Sequence, residues 1–337
     1  MGILIGTASW ADKSLVDSGL FYPKTAKTAE ARLRYYAENF SMVEVDSSYY
    51  ALPAPNVTQL WAERTPESFV FDIKAFRIFT QHQTPPQVLP PDIRQALGPL
   101  AEKKNVYYND LPPEIAQEMW RRFLLALGPL RNKLGAVLFQ FPPWFFYRRS
   151  NLEHIAWCAQ ILDGYQLAVE FRNETWFNDK HRDEVLAFER AHKITHVVVD
   201  EPQGFSTGTP PVWEVTNPEL AIFRLHGRNT ETWNKKGLTA SSERFDYDYE
   251  EKELLDFVAP VRQLASAAKS VHVVFNNNMK DQGIRGAKRL VPCWQQDDFH
   301  SIRAVTVRRR EHHASPSSDR PTLNSTSEPG SGAGTVL

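Results

Sequence analysis

Eight short runs of β-forming residues follow one another along the chain, and helical stretches fill most of the gaps between them. Strands that alternate with helices in this way favour parallel βαβ units. Eight such units predict an α/β fold that closes into a (β/α)8 TIM-type barrel rather than an open sheet. The predicted strands are Ile3–Ser9, Met42–Ser47, Phe69–Lys74, Gly135–Phe141, Leu167–Arg172, Ile194–Asp200, Ala221–Arg228 and Val271–Asn277.

The helical stretches carry start and stop signals. Pro112 and Pro113 open one helix, and Pro260 predicts a kink in the longest, Tyr249–Lys269. The connection Glu201–Glu219 is rich in Pro and Gly and predicts no full helix. The predicted helices are Thr28–Phe40, Val57–Arg64, Pro113–Leu130, Asn151–Leu162, Asp179–His192 and Tyr249–Lys269.

Two regions depart from a compact barrel. Thr80–Asn109 is long and proline-rich, which predicts a lid-like insertion after the third strand. From residue 308 to residue 337 the chain is rich in Ser, Pro and Gly with little apolar content, which predicts a disordered tail. The barrel domain is therefore expected to span residues 1–307.

The charge balance and the cysteine count limit the classes of partner. The 337 residues include 39 basic and 40 acidic side chains, for a net charge of -1. This balance gives no global attraction to nucleic acid or to an anionic membrane, although a local basic patch stays open. No stretch approaches the ~20 apolar residues of a membrane span. The two cysteines, Cys158 and Cys293, stand far apart, which favours a reducing, cytoplasmic setting over a disulfide framework.

Polar and apolar residues alternate within the predicted strands, whereas parallel strands buried on both faces are nearly continuous apolar runs. In the second strand, Val43 and Val45 alternate with Glu44 and Asp46. Because successive side chains of a strand point to opposite faces, the polar residues lie on one face and the apolar residues on the other. The apolar face is expected to pack against the helices, because an unpaired charge buried there would lose its hydration. The polar set is therefore expected inside the barrel, towards the C-terminal strand ends that carry the active sites of such barrels.

Ten acidic, basic or titratable side chains gather at these predicted strand ends. They are Glu44, Asp46, Asp72, Glu170, Asp200, Lys74, Arg172, Arg224, Arg228 and His226. One interpretation is that they pair with one another and satisfy a polar interior. The other is a ligand site, in which the cations hold an anion such as phosphate or carboxylate.

The second interpretation favours an enzyme with a small polar or anionic substrate, sugar-like or phosphorylated, whose reaction class (hydrolase, lyase or isomerase) stays unassigned. Glu170 and His226 are the expected acid/base groups, with Asp200 orienting one of them. Aromatic rings beside polar donors suit a sugar or base ring. The residues expected to bind substrate are Trp10, Asp46, Tyr49, Lys74, Gln140, Arg172, Arg224, Arg228, Asn229 and Asn276.

Two alternatives remain. Glu44, Asp46, Glu170, Asp200 and His226 could hold a divalent cation for a phosphoester hydrolase or isomerase. However, neither HExxH nor EF-hand spacing occurs, and arginines compete for the same carboxylates, so no metal ligand is assigned and the cofactor stays unknown. A non-catalytic binding or regulatory protein could instead act through the insertion and the tail.

Ordered motifs along the whole chain carry a family resemblance. They include IGTASW at Ile5–Trp10, VEVDSSYYALP at Val43–Pro53, VEFRNETW at Val169–Trp176, FRLHGRN at Phe223–Asn229 and VFNNN at Val274–Asn278. With these motifs the chain resembles the YecE-like family, known as domain of unknown function 72. The resemblance implies a TIM-type barrel and no particular activity. Where that family has a Thr-His pair after the third strand, this chain has Thr80-Gln81-His82, which weakens any role for His82 and leaves it open between the surface of the insertion and the site.

Overall fold

The computed structural model describes residues 2–293, and the predicted disordered tail, residues 308–337, lies outside that range. The strands are β1 (Gly2–Thr7), β2 (Met42–Val45), β3 (Val70–Lys74), β4 (Leu134–Gln140), β5 (Leu167–Glu170), β6 (Thr195–Asp200), β7 (Leu220–Leu225) and β8 (Ser270–Phe275). All are parallel and form one sheet in the order β1-β8-β7-β6-β5-β4-β3-β2. The predicted eight-stranded α/β barrel is confirmed.

Helices occupy the connections between the strands. The α-helices are α1 (Lys13–Ser18), α2 (Ala29–Asn39), α3 (Ser47–Tyr50), α4 (Pro55–Glu63), α5 (Pro91–Ala96), α6 (Pro113–Leu127), α7 (Arg149–Ile161), α8 (Arg182–Ala191), α9 (Glu251–Asp256), α10 (Val258–Ala267) and α11 (residues 282–293). Short 3-10 helices span Pro86–Val88, Gly98–Glu102, Tyr108–Asp110, Gly128–Lys133, Glu174–Trp176 and Ser241–Phe245. Within residues 2–293, none of the helices has the length and apolar character needed to cross a membrane.

The helix start predicted from proline is confirmed for α6, whereas the break in the long C-terminal helix lies at another residue than predicted. Pro113 is the first residue of α6, as predicted. The predicted kink at Pro260 is instead a break at Phe257, between α9 and α10. Pro260 lies in the first turn of α10, where its missing N–H would have had no intrahelical partner. The segment from residue 201 to residue 219 forms turns without a helix, as its composition predicts.

The insertion after β3 is fixed against α6. Thr84 and Val106 pair as an antiparallel bridge, with N···O distances of 3.0 and 2.9 Å that close the base of the insertion. Ile93 and Leu97 are buried in the main hydrophobic core, and Asp92 forms an ion pair with Arg122 on α6. Most of the insertion therefore packs against α6, outside the sheet. Its first residues follow the C-terminal end of β3.

The phase of β6 differs from the prediction. Val197 and Val199 belong to an apolar cluster inside the barrel, together with Ile222 of β7. The register pairs Val197 with Ile222 and Val199 with Arg224, so these four side chains share the inward face. Asp200 pairs with the outward-facing Leu225, which places it on the opposite face from the one predicted.

The barrel closes where β1 meets β2, and a buried hydroxyl of α2 spans this seam. Tyr36 accepts a hydrogen bond from the Thr7 backbone N–H at 2.9 Å and donates to the Met42 carbonyl at 3.3 Å. Gly6 permits the close approach, because a Cβ there would lie 2.2 Å from the same Met42 oxygen. Beyond the seam, the Ser9 N–H donates to the Glu44 carbonyl at 2.8 Å.

We expect Tyr36→Phe to lower the free energy of unfolding by about 1–3 kcal/mol, because it leaves the buried Thr7 N–H without a partner. Urea unfolding followed by circular dichroism measures this loss. Tyr35→Phe is the matched control, since Tyr35 is the adjacent, partly buried tyrosine of the same helix. Equal stability of the two variants would contradict the role of Tyr36 in the seam.

Candidate functional site

The guanidinium of Arg224 lies inside the barrel between two glutamates. Its Nε and Nη2 donate to the two oxygens of Glu44 on β2 at 2.8 and 2.5 Å, and its Nη1 donates to Glu170 on β5. All three side chains are at most 1% exposed. Charges can be buried in this way only when each has well-aligned partners. The triad of Arg224, Glu44 and Glu170 therefore links β7, β2 and β5 across the barrel interior.

Glu170 accepts hydrogen bonds from four side chains. Besides Arg224, it receives bonds from Gln140 at 2.7 Å, His226 at 3.0 Å and Arg172 at 3.3 Å. Burial favours the neutral acid, but the charges of Arg224 and Arg172 and the hydrogen bond from His226 hold the pKa of Glu170 well below its usual range. An ionised carboxylate with its lone pairs engaged is a poor proton acceptor, so these contacts favour positioning over the predicted acid/base role.

Both ring nitrogens of His226 are engaged. A carboxylate only accepts hydrogen bonds, so Nε2 donates to Glu170, and Nδ1 accepts a bond from Asn276 at 2.8 Å. Burial outweighs the attraction of Glu170 and lowers the pKa of His226 to about 3. The imidazole is therefore neutral near pH 7, which also argues against acid/base work at this position.

Asp46, Lys74 and Tyr49 lie together above the buried triad. Lys74 forms an ion pair with Asp46 at 3.1 Å, and its charge overcomes the effect of burial and lowers the pKa of Asp46. The Tyr49 ring makes cation–π contacts with two side chains: Lys74 Nζ lies 5.1 Å and the Arg77 guanidinium carbon 5.2 Å from its centroid. These three predicted residues thus share one wall of the opening at the C-terminal ends of the strands, here called the mouth. Arg77 is a neighbour that was not predicted.

His82 lies on the same wall, whereas the sequence left it open between the surface of the insertion and the site. Its ring meets Tyr49 edge-on at a centroid distance of 5.1 Å and Trp144 at 5.8 Å. Its Nδ1 lies 2.8 Å from the hydroxyl of Thr80. The insertion brings His82 to the mouth through the fold of its first residues, and no periodicity in the sequence indicates that path.

Arg172 stacks on Trp233 at the opposite wall, close to Glu201. The guanidinium carbon lies 4.5 Å from the centroid of the Trp233 ring. Arg172 Nε is 3.6 Å from Oε2 of Glu201, which is too long for a hydrogen bond. Both of these atoms and Trp233 Nε1 are buried without a hydrogen-bond partner in the described part of the chain. The sequence did not indicate Glu201, because the predicted phase of the sixth strand put Asp200 inside instead.

Asp200 and Arg228 form a separate pair at the edge of the mouth. Arg228 donates to Asp200 from Nε at 3.0 Å and from Nη2 at 2.8 Å, and the Tyr249 hydroxyl donates to Asp200 at 2.6 Å. This placement differs from the prediction that Asp200 orients Glu170 or His226, because Asp200 lies on the outward face of β6.

Trp10 and Asn229 also lie away from the predicted pocket wall. Trp10 is buried in the helix–strand layer, edge-on to Trp61 at 5.5 Å and to Phe71 at 6.4 Å. The Asn229 side chain accepts from the Glu231 N–H and donates to the Asp246 carbonyl, so it shapes its own loop. Both residues follow strand ends in sequence, but packing turns Trp10 outward and loop hydrogen bonds occupy Asn229.

Asp72 contacts a histidine deeper inside the barrel rather than lying in the mouth. Its Oδ2 lies 2.9 Å from Nδ1 of His272 on β8. In the β7–β8 register Arg224 pairs with Val274, so His272 lies two residues before the level of Arg224. Gly135 leaves room for this pair, because a Cβ there would lie 2.5 Å from the Asp72 oxygen.

The five side chains considered as metal ligands do not face one centre. Glu44 and Glu170 bind Arg224, whereas Asp46 binds Lys74 and Asp200 binds Arg228. Across residues 2–293, no group of three or more His, Cys, Asp or Glu side chains is arranged to hold a metal ion. The contacts of the charged residues thus favour ion pairing inside the barrel over a shared cation.

We expect Arg224→Met to lower the free energy of unfolding by about 3–5 kcal/mol, because Glu44 and Glu170 would remain buried without their shared partner. Urea denaturation at neutral pH measures the loss, and Arg149→Met, at an arginine with 93% side-chain exposure, is the control. The double variant Glu44→Gln/Arg224→Met should recover part of the stability. A loss no larger than that of the control would contradict the structural role of Arg224.

Comparison with known proteins gives consistent matches to one group. The family model described as "Protein of unknown function DUF72" matches residues 4–308. The UPF0759 protein YunF of Bacillus subtilis is 31% identical over 293 residues, covering 86% of this chain and 93% of that protein. Crystal structures of DUF72 proteins from Enterococcus faecalis and Thermotoga maritima are 26% and 27% identical, with TM-scores of 0.70 and 0.68. They cover 87% and 88% of this chain, and 95% and 100% of their own.

The sequence match and the barrel agree along the described chain, and the resemblance to YecE-like sequences is confirmed. This chain belongs to the DUF72 family of proteins of unknown function.

Proposed function

We propose that this protein is an enzyme that binds a small polar or anionic substrate, sugar-like or phosphorylated, at the C-terminal mouth of its barrel. The observation that carries the proposal is the gathering of cations around the mouth. Lys74 and Arg77 lie over the Tyr49 ring on one wall, and Arg172 lies on the other. Arg172 Nε and Arg77 Nε are both buried without a hydrogen-bond partner among residues 2–293.

The lowered pKa of His82 supports a positive electrostatic potential at the mouth. Burial, and then the charges of Lys74, Arg77 and Arg172, lower the pKa of His82 to about 3. Lys74, Arg77 and Arg172 therefore all lie near this imidazole, and Lys74 also pairs with Asp46. A site of this kind attracts phosphate or carboxylate groups, which guanidinium groups bind through charge-assisted hydrogen bonds.

The aromatic side chains support a substrate that also has a ring or an apolar face. Lys74 and Arg77 lie over Tyr49, and Arg172 lies over Trp233. Trp144, which is 48% exposed, contacts His82. Aromatic faces next to a few polar donors are typical of sugar and nucleobase sites. A sugar phosphate has both the anion and the ring that such a mouth suits.

The buried groups that were predicted as acid and base fit better as positioning residues. Glu170 is held ionised by four donors, and His226 is held neutral between Glu170 and Asn276. In this proposal, Glu170 anchors Arg172 through Oε1, while proton transfer belongs to groups at the rim that have no hydrogen-bond partner among residues 2–293. The metal-dependent alternative lacks support from the donor set, because its carboxylates are each bound by arginine or lysine.

We expect a panel of sulfate, inorganic phosphate, hexose phosphates and small dicarboxylates to raise the melting temperature of the wild type for at least one anion. A ligand at ~100 times its dissociation constant stabilises by about 2.7 kcal/mol, which a thermal-shift assay detects. Arg172→Gln should lose this shift, because the neutral amide of Gln lacks the charge of the guanidinium.

The matched control is Arg149→Gln, which removes an exposed arginine of α7 that pairs with Glu153 on the surface. It should keep the wild-type shift. A ligand-induced shift that survives in Arg172→Gln would contradict the proposed anion site.

A further inference from the structure

Glu201 is held by the loop that follows β6. The carboxyl group is 1% exposed, and its Oε1 accepts a hydrogen bond from the Thr209 backbone N–H at 2.7 Å. Gly208 makes room for it, since a Cβ there would lie 2.7 Å from the same oxygen. One oxygen is thus fixed by the loop, and the other, Oε2, is turned towards Arg172.

Three buried polar atoms around Arg172 lack partners within the described range. Glu201 Oε2 and Arg172 Nε lie 3.6 Å apart, outside hydrogen-bond distance, and Trp233 Nε1 belongs to the ring on which Arg172 stacks. Leaving buried donors and acceptors unpaired is costly, and unpaired groups of this kind are rare in folded proteins. Two of the atoms are N–H donors, and a protonated Glu201 would supply a third.

We propose that Arg172, Trp233 and Glu201 form an oxyanion subsite in which Glu201 takes up a proton when the anion binds. The inference rests on the proposed function, because it specifies how the anion is held there. Arg172 Nε–H, Trp233 Nε1–H and the Oε2–H of protonated Glu201 donate to the oxyanion. An ionised Glu201 would repel the same ligand, so the proton enters from solvent on binding and returns to solvent on release.

The charges around Glu201 are consistent with this exchange. Burial raises the pKa of Glu201 to about 7, against the opposing charge of Arg172. Glu170 on β5 and Asp200 on β6 raise it further, and the Thr209 N–H lowers it. A bound anion adds another negative charge beside Oε2, which raises the pKa again. Anion affinity should therefore be highest below about pH 7 and should weaken as the pH rises.

The experiment is titration calorimetry of the full-length protein with sulfate, which carries a constant charge near neutral pH. Binding is measured at about pH 7.5 in buffers of different ionisation enthalpy, which gives the number of protons taken up per sulfate. The wild type should take up a substantial fraction of one proton, and its dissociation constant should rise by up to tenfold per pH unit above about pH 7. In Glu201→Gln the uptake should vanish, and the affinity should become independent of pH.

The matched control is Glu189→Gln. Glu189 is another glutamate that is 1% exposed and whose pKa is raised by burial, but it pairs with His196 beneath α8. This variant should keep the wild-type proton uptake. Because the uptake is first measured on the wild type, the inference can fail even if Glu201→Gln does not fold.

Three negative results are distinguishable. Sulfate that binds to the wild type but is lost in Arg172→Gln, with no proton uptake in any buffer, would overturn the Glu201 inference and leave the proposed anion site intact. Wild-type protein that does not bind sulfate at all would overturn this oxyanion subsite and count against the proposed anion site as well. Proton uptake that persists unchanged in Glu201→Gln would assign the proton to another group and also overturn the inference.

Discussion

The buried guanidinium of Arg224 is the constraint on which the rest of the site depends. It crosses the barrel interior from β7 to Glu44 on β2 and Glu170 on β5. A charge in this position requires partners of opposite charge on the facing strands, and the inward faces of β2 and β5 supply them. The polar interior is thus an internally satisfied structure, as one of the two interpretations of the sequence proposed.

The satisfied interior also determines what the mouth can do. Because Arg224 holds Glu170 ionised, Glu170 can anchor both Arg172 and His226 from below. Arg172 then stacks on Trp233, and its Nε lies 3.6 Å from Glu201 Oε2 without a hydrogen-bond partner among residues 2–293. The ion-pair interpretation of the charged cluster therefore applies to the barrel interior, and we propose the ligand-site interpretation for the rim.

The strand order and the inward phase of most strands were predictable, because period-two alternation is a local property of the sequence. It placed Glu44, Glu170 and Arg224 inside the barrel. The same reasoning failed for β6, where valines occupy both faces and the single charged residue at the end, Asp200, suggested the wrong phase. The roles of Glu201 and His82 could not be predicted, since a loop fold and an insertion bring them to the mouth. Trp10 was misplaced for a related reason, because its direction depends on packing against Trp61.

In the proposed function, Arg224 is a sealed structural cation and Arg172 binds the ligand. The most direct measurement is NMR of the arginine Nε–H groups during a sulfate titration. The account predicts a saturable shift of the Arg172 resonance and an unmoved Arg224 resonance that exchanges slowly with water. An Arg172 resonance that stays in place while sulfate binds, or an Arg224 resonance that exchanges as fast as that of the exposed Arg149, would contradict it.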